Sequence, residues 1–212
     1  MPNTEMPVLD VFESQNLLKK YGIPVVKSDL CKNEASLTSA LKTTRFPLAM
    51  KVVSSAISHK TEAQGVKLGV SSALEAKKAF NQLKKLRGFE GALVQEMLSG
   101  TEIIIGGKRD ATFGPTVLFG LGGIFVEVMK DVSLRVCPIS SRDAAEMISE
   151  IKGYKLLTGF RGSEPVKLSA INDCLLKTSK MMLQEEQIKE LDINPLFADS
   201  KGVKAVDARV VI

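Results

Sequence analysis

The sequence predicts an α+β fold in two lobes, and three observations carry that prediction. Strand-like segments follow one another between residues 92 and 139 with no helix among them, which breaks the strand–helix rhythm of a doubly wound sheet. Amphipathic helical stretches flank this run on both sides. The segment Glu96–Gly100 interrupts it and suggests a hinge, with an N-terminal lobe over residues 1–95 and a C-terminal lobe over 96–212. A chain of 212 residues is long enough to give two such lobes apolar cores.

Along the chain, an amphipathic segment around 10–20 ends at Tyr21-Gly22, and "IPVV" then reads as a short strand. Asn33 is placed to cap a helix carrying Leu37, Ala40 and Leu41. "FPLAMKVVS" (46–54) reads as a buried strand, and the alternation of "VKLGV" (66–70) as a half-buried one. Ser72 and Glu75 have capping-box spacing before the stripe Ala76, Ala79, Phe80 and Leu83. Strands are expected at 92–97, 101–107, 116–121, 124–128 and 132–139, then a helix from Ser140. A Gly-rich connection (153–167) leads to a helix over 169–183 and two final strands, "IKELDINPLF" and "VKAVDARVVI".

Composition narrows the function. Hydrophobic residues make up 44% and charged residues 25%, a profile for a folded chain rather than a disordered one. No apolar run approaches the ~20 residues of a membrane span, and the acidic, polar N-terminus does not read as a signal peptide, so a cytoplasmic protein is expected. The three cysteines, Cys31, Cys137 and Cys174, are widely spaced with no nearby His, and read as small buried hydrophobes rather than a disulfide or zinc set. A metal would then use oxygen ligands, which points to magnesium. The net charge is +5, but Trp is absent and Tyr occurs twice, so nucleic acid has little to stack on; an anionic small ligand such as a nucleotide suits the charge equally.

Several residues stand out chemically. Lys51 ends an apolar strand, where it either snorkels to water or holds a nucleotide phosphate. "SHKTEAQG" is too polar for a core. Its His59, the single histidine, its Lys60 and its Gly65 suit either an ordinary exposed loop or one that closes over phosphates, with His59 a nucleophile toward phosphorus. "GLGG" (120–123) fails the dinucleotide fingerprint, since Phe125 occupies its last position and a strand follows. Its glycines instead suit a tight turn and close strand packing. Asp192, Asn194 and Asp207 lie on adjoining terminal strands among Leu191, Ile193, Val206 and Val210. There they form either a structural ion pair or the oxygen set that magnesium prefers.

Lys51, the His59–Lys60 loop, "QEMLSGTEIIIG" and "DINPL" followed by "VDARV" occur in an order that resembles one family, the ATP-grasp β subunits of ADP-forming (NDP-forming) acyl-CoA synthetases, relatives of succinyl-CoA synthetase. "KRDATFGPTVLFGLGGIFVEVMKDVSLRVCPIS", "KLLTGFRG" and "DINPLF" are close to that family's signatures, and the likeness runs from about residue 10 to the C-terminus. It implies an ATP-grasp fold with the nucleotide held between the two lobes. By position, Lys51 would contact the phosphates, Glu96–Met97 the adenine edge and Glu102 the ribose. Asn194 and Asp207 would hold Mg²⁺, and Asp192 would lie near the phosphoryl-transfer centre. The loop 58–65 would cover the phosphates, with Lys60 and Gly65 in it and His59 as a second phosphorylation site. One departure is Gln64-Gly65, where many members have Gly-Gly.

The activity so implied is acyl-CoA + ADP + Pi ⇌ acid + ATP + CoA. It requires a CoA-binding α subunit with its own phosphorylated histidine, in an assembly of α₂β₂ type. A free-standing ATP-grasp carboxylate–amine ligase and a non-catalytic nucleotide-sensing subunit are the alternatives. The histidine loop argues against the first, and the complete set of Lys51, His59, Asn194 and Asp207 against the second, since a sensor does not need the histidine.

Overall fold

The computed structural model describes residues 7–54, 56, 63–123 and 130–212. The chain divides into two units, Val26–Leu98 and a second of Met1–Val25 with Ser99–Ile212. The boundary thus lies close to the expected hinge, but the opening residues belong with the C-terminal half, which corrects the 1–95 lobe. The physical reason is burial. Leu18 and Ile23 are sealed into the C-terminal core, and the backbone N–H of Leu9 donates to Val210 O at 2.9 Å.

In the unit Val26–Leu98, strands β1 (Ser28–Cys31), β2 (Leu48–Val53), β3 (Val66–Val70) and β4 (Gly91–Glu96) form an antiparallel sheet in the order β1-β4-β2-β3. Alternation along β2 turns Leu48, Met50 and Val52 toward Ala76, Phe80 and Leu83 of α3 (Ala73–Leu83), all of them in one buried cluster. Helix α2 (Glu34–Ala40) starts as expected, with Asn33 Oδ1 accepting from Ser36 N and Ser36 Oγ accepting from Asn33 N. At α3 the expected box is displaced by one residue. Ser72 Oγ accepts from Glu75 N, but the Glu75 carboxylate accepts from the N–H and hydroxyl of Ser71, both at 2.8 Å. Leu68 departs from the half-buried expectation: β3 is a sheet edge, and Leu68 is 67% exposed.

In the other unit, helix α1 (Val11–Lys20) precedes β5 (Thr101–Asp110), β6 (Gly114–Leu121) and β7 (Val132–Val136). Helices α4 (Ser141–Glu150), α5 (Tyr154–Leu157) and α6 (Leu168–Gln184) follow, then β8 (Glu190–Ala198), β9 (Val203–Ala205) and β10 (Ala208–Val211). The sheet runs β10-β8-β5-β6-β7, with β9 paired to β8. One face is sealed by α4 and α6, where Met147, Ile171, Leu175 and Met182 meet Ile103, Ile105, Phe119 and Ile193. Several elements differ from expectation. "IPVV" makes only a single bridge, Val25 to Ala205, and α5 forms within the Gly-rich connection. The last strand breaks into β9 and β10 because Val206 N turns to Pro195 O at 3.0 Å. The strand expected at 124–128 lies outside the described residues.

All three cysteines are free and buried as expected, and burial pushes the Cys174 thiol up to about 12. Among the described residues no helix is long and apolar enough to cross a membrane. The C-terminus of α6 is tied on two sides. The Arg109 guanidinium donates to Met182 O at 2.6 Å and to Ile188 O at 3.2 Å, supplying partners that helix ends lack. The Glu185 carboxylate accepts from Lys20 Nζ, Gln187 Nε2 and Tyr21 OH.

The hydrogen bond from Lys20, then those from Gln187 and Tyr21, hold Glu185 down from its ordinary 4.5 to about 2. A depressed carboxylate contributes stability that is present above its unfolded pKa and lost as pH falls through the folded one. Stability should therefore decline between about pH 4.5 and pH 2, and Glu185→Gln should flatten that part of the curve. Urea unfolding across this range checks it; an unchanged acid limb in the variant would count against the contact.

Candidate functional site

Strand alternation explains how acids come to lie beside a core. Along β8, Leu191 and Ile193 enter the apolar cluster, which turns Asp192 and Asn194 to the opposite face of the sheet. In β10, Arg209 pairs directly with Asp192. The chain bend before β10 brings Asp207 alongside: Asn194 N donates to Asp207 O at 3.2 Å, and the Asp207 carboxylate accepts from Ala208 N at 3.0 Å. Three of the expected residues, Asp192, Asn194 and Asp207, are thus gathered on one stretch of one sheet.

Asp192 is the most constrained of them. Its Oδ1 is buried with no hydrogen-bond partner among the described residues. Burial raises its pKa, Arg209 opposes that rise, and Asp207 adds to it. Sequence reasoning did not single out Arg209. The signal was its i+2 spacing from Asp207, which sets both residues on one face of an extended chain.

The donor set fits magnesium. Among the described residues no three His, Cys, Asp or Glu side chains stand close enough to hold a metal by themselves. Magnesium does not need such a cage, because it takes one or two carboxylates and completes its octahedron with substrate phosphates and water. Asn194 Oδ1 and the Asp207 carboxylate are of that kind, and the orphaned Asp192 oxygen lies beside them.

Glu102 stands exposed on β5 and lines a pocket of about 520 Å³ together with Gly122, Gly123, Leu156 and Ser163. Here the glycines of "GLGG" do what the sequence suggested. Gly122 N donates to Glu102 O at 2.7 Å, a Cβ on Gly122 would lie 3.1 Å from Glu102 backbone carbon, and Gly123 has φ +63°.

The other unit carries Lys51, Gly65, Glu96 and Met97. Lys51 pairs with Val66 and Leu93, lies on the sheet face away from Met50 and Val52, and is 8% exposed. Gly65 O accepts from Val52 N at 2.7 Å, so the end of the polar loop is fixed next to Lys51. Glu96 ends β4. Met97 N donates to Pro47 O at 3.0 Å, and Met97 Sδ accepts from Gly69 N at 3.0 Å. His59 and Lys60 lie outside the described residues. Gln64 adopts φ +54°, the left-handed region that favours glycine and costs another L-residue about 1–2 kcal/mol.

Known proteins resemble this chain over nearly its whole length. An ATP-grasp domain model matches residues 2–212. The chain is 43% identical over 208 residues to the β subunit of ADP-forming acetate–CoA ligase I of Pyrococcus furiosus, covering 94% of this chain and 90% of that one. Dinucleotide-forming acetyl-coenzyme A synthetase 1 of Candidatus Korarchaeum cryptofilum, solved with coenzyme A and Ca-AMPCP, superposes with a TM-score of 0.92 at 43% identity, over 99% of this chain and 95% of that one. Another structure of that enzyme, with coenzyme A and Mg-AMPPCP and its phosphohistidine segment pointing towards the nucleotide site, superposes at 0.87 with 42% identity, over 97% and 92%.

The strain on Asp192 is measurable without any ligand. A carboxyl whose folded pKa is raised stabilises the fold below its unfolded pKa and loses that contribution as pH rises through the folded value. Asparagine, neutral at every pH, escapes the loss. Metal-free Asp192→Asn should therefore gain more in melting temperature relative to wild type near pH 7 than near pH 3. An equal offset at both pH values would show that burial does not dominate at this position.

Proposed function

The chain belongs to the ATP-grasp family, among the relatives of ADP-forming acetate–CoA ligase β subunits, and from this premise we propose that it is the nucleotide-binding subunit of an ADP-forming acyl-CoA synthetase. The reaction is acyl-CoA + ADP + Pi ⇌ acid + ATP + CoA, with phosphate passing between a phosphohistidine and the nucleotide. The observation that carries the reading is the gathering of Asp192 and Asn194 of β8 with Asp207, which immediately precedes β10, and a buried carboxylate oxygen with no hydrogen-bond partner among the described residues. An acid is not retained in such a place for stability.

Phosphoryl transfer asks a protein for position and charge neutralisation more than for covalent activation. Lys51, a nearly buried cation on a rigid strand, holds the nucleotide phosphates. Glu96 and Met97 take the adenine edge and Glu102 the ribose, where Gly122 and Gly123 leave room beside it. Asn194 and Asp207 hold Mg²⁺, which when bound neutralises phosphate charge. Lys60 and Gly65 belong to the loop that covers the phosphates. His59 carries the phosphoryl group: in the ATP-forming direction its N–P bond breaks as a bond forms from phosphorus to a β-phosphate oxygen of ADP, and the imidazole leaves.

A CoA-binding α subunit supplies the first phosphohistidine, in an α₂β₂ assembly. Support for that partner comes from the β-subunit relatives and from the phosphohistidine segment of the Korarchaeum enzyme. Three free, buried cysteines suit a reducing compartment, and we place the enzyme in the cytoplasm.

Incubating the chain and its partner with Mg²⁺ and γ-labelled ATP should place an acid-labile, base-stable label on this chain. His59→Ala should carry no label and should lose acid-dependent thioester formation. Complete thioester synthesis by this chain alone, or full turnover by His59→Ala, would refute the half-enzyme and the carrier role respectively.

A further inference from the structure

The other glycines in or beside the larger sheet have a reason of packing or of conformation, the latter at Gly114, whose φ is +76°. A Cβ on Gly107 would lie 2.6 Å from Met182 Sδ, one on Gly120 would lie 2.9 Å from Asp131 O, and one on Gly100 would lie 2.5 Å from Ala198 O. Gly106 has no such reason. It sits in β5, the central strand, in register with Asp192 of β8 on one side and Leu118 of β6 on the other. Its φ lies outside the left-handed region, and a Cβ there would meet Leu118 Cβ at 3.5 Å and Leu191 O at 3.6 Å, ordinary van der Waals contacts. The fold would accept a side chain at this position, and strand propensity favours one. Glycine inside a strand often marks a bulge or a place where a ligand approaches the backbone; the β5–β8 register shift falls between Ile103 and Ile105, before Gly106.

What faces that place is specific. Residues directly opposite on paired strands point to the same face, so Gly106 presents bare backbone, with no side chain, beside Asp192. Asp192 Oδ1 is buried and has no hydrogen-bond partner among the described residues. Asn194 follows two residues on along the same face, with Asp207 beside it. We propose that Gly106 is a clearance-setting residue of the nucleotide site: its bare backbone lets the phosphate chain of a metal-bound nucleoside di- or triphosphate lie against β5 beside Asp192. The inference rests on the function proposed above and adds a residue that contributes by having no side chain. A single methyl group there would stand in the path of the phosphates without disturbing the sheet.

The test sets stability against binding in Gly106→Ala, with Gly202→Ala as the control; nothing lies within 4 Å of a Cβ at Gly202. Thermal melts and calorimetric titration with Mg-ADP are measured on the full chain. Gly106→Ala should melt at or above the wild-type temperature yet bind Mg-ADP at least about tenfold more weakly, while Gly202→Ala matches wild type in binding. Wild-type affinity in Gly106→Ala would overturn the inference. So would a fall of several degrees in its melting temperature, which would make the glycine a requirement of the fold. A wild-type chain that does not bind Mg-ADP would instead overturn the functional reading, so the two failures are distinguishable.

Discussion

A carboxylate taken out of water beside an apolar core is the constraint on which this molecule is arranged. Desolvating an acid is unfavourable, and Asp192 has Arg209 opposite it but, among the described residues, no hydrogen-bond donor for its buried Oδ1. The sheet supports this costly group through the ordinary stability of its other face. There, Leu191 and Ile193 sit in the cluster with Ile105, Leu175 and Met182. A one-residue slip of β8 would exchange the acids for the core residues, so the pairings of β5–β8 and β8–β10 fix both stability and the site. A positively charged occupant is the natural complement of such a group.

The two units treat charge differently. In the smaller one a lysine, Lys51, is nearly buried on the sheet face away from α2 and α3, and the polar loop returns to the sheet at Gly65, beside it. Gln64 holds a left-handed backbone where a glycine would be unstrained. Strain of that kind persists only where neighbouring structure imposes it, and here it sits at the end of the segment assigned to phosphate. The departure from Gly-Gly therefore leaves the turn itself possible, with the glutamine taking the conformation a glycine would supply.

Much of the fold was legible because it is written in local period. Helices α1, α2, α4 and α6 and the strands through the middle follow from spacing and caps, and Asp192, Asn194 and Asp207 follow from polar residues set among Leu, Ile and Val. What escaped depends on distant partners. Residues 1–25 look like the start of the first lobe, yet Leu18 and Ile23 complete the core of the other unit. "IPVV" has strand composition, but Val25 makes only a single bridge, to Ala205. One miss was local: Glu75 has capping-box spacing from Ser72, yet its carboxylate reaches Ser71. Arg209 became visible only through its register with Asp192, and Gly106 only when the space around its missing Cβ was known.

The central claim is that the face carrying Asn194 and Asp207 completes a metal site only when nucleotide phosphates are present. Electron paramagnetic resonance with Mn²⁺ in place of Mg²⁺ addresses it directly on the full chain. Wild type should take up Mn²⁺ tightly with ADP and only weakly without it, and Asp207→Asn should lose the nucleotide-dependent uptake. Equal Mn²⁺ uptake with and without ADP, or undiminished uptake in Asp207→Asn, would contradict the account.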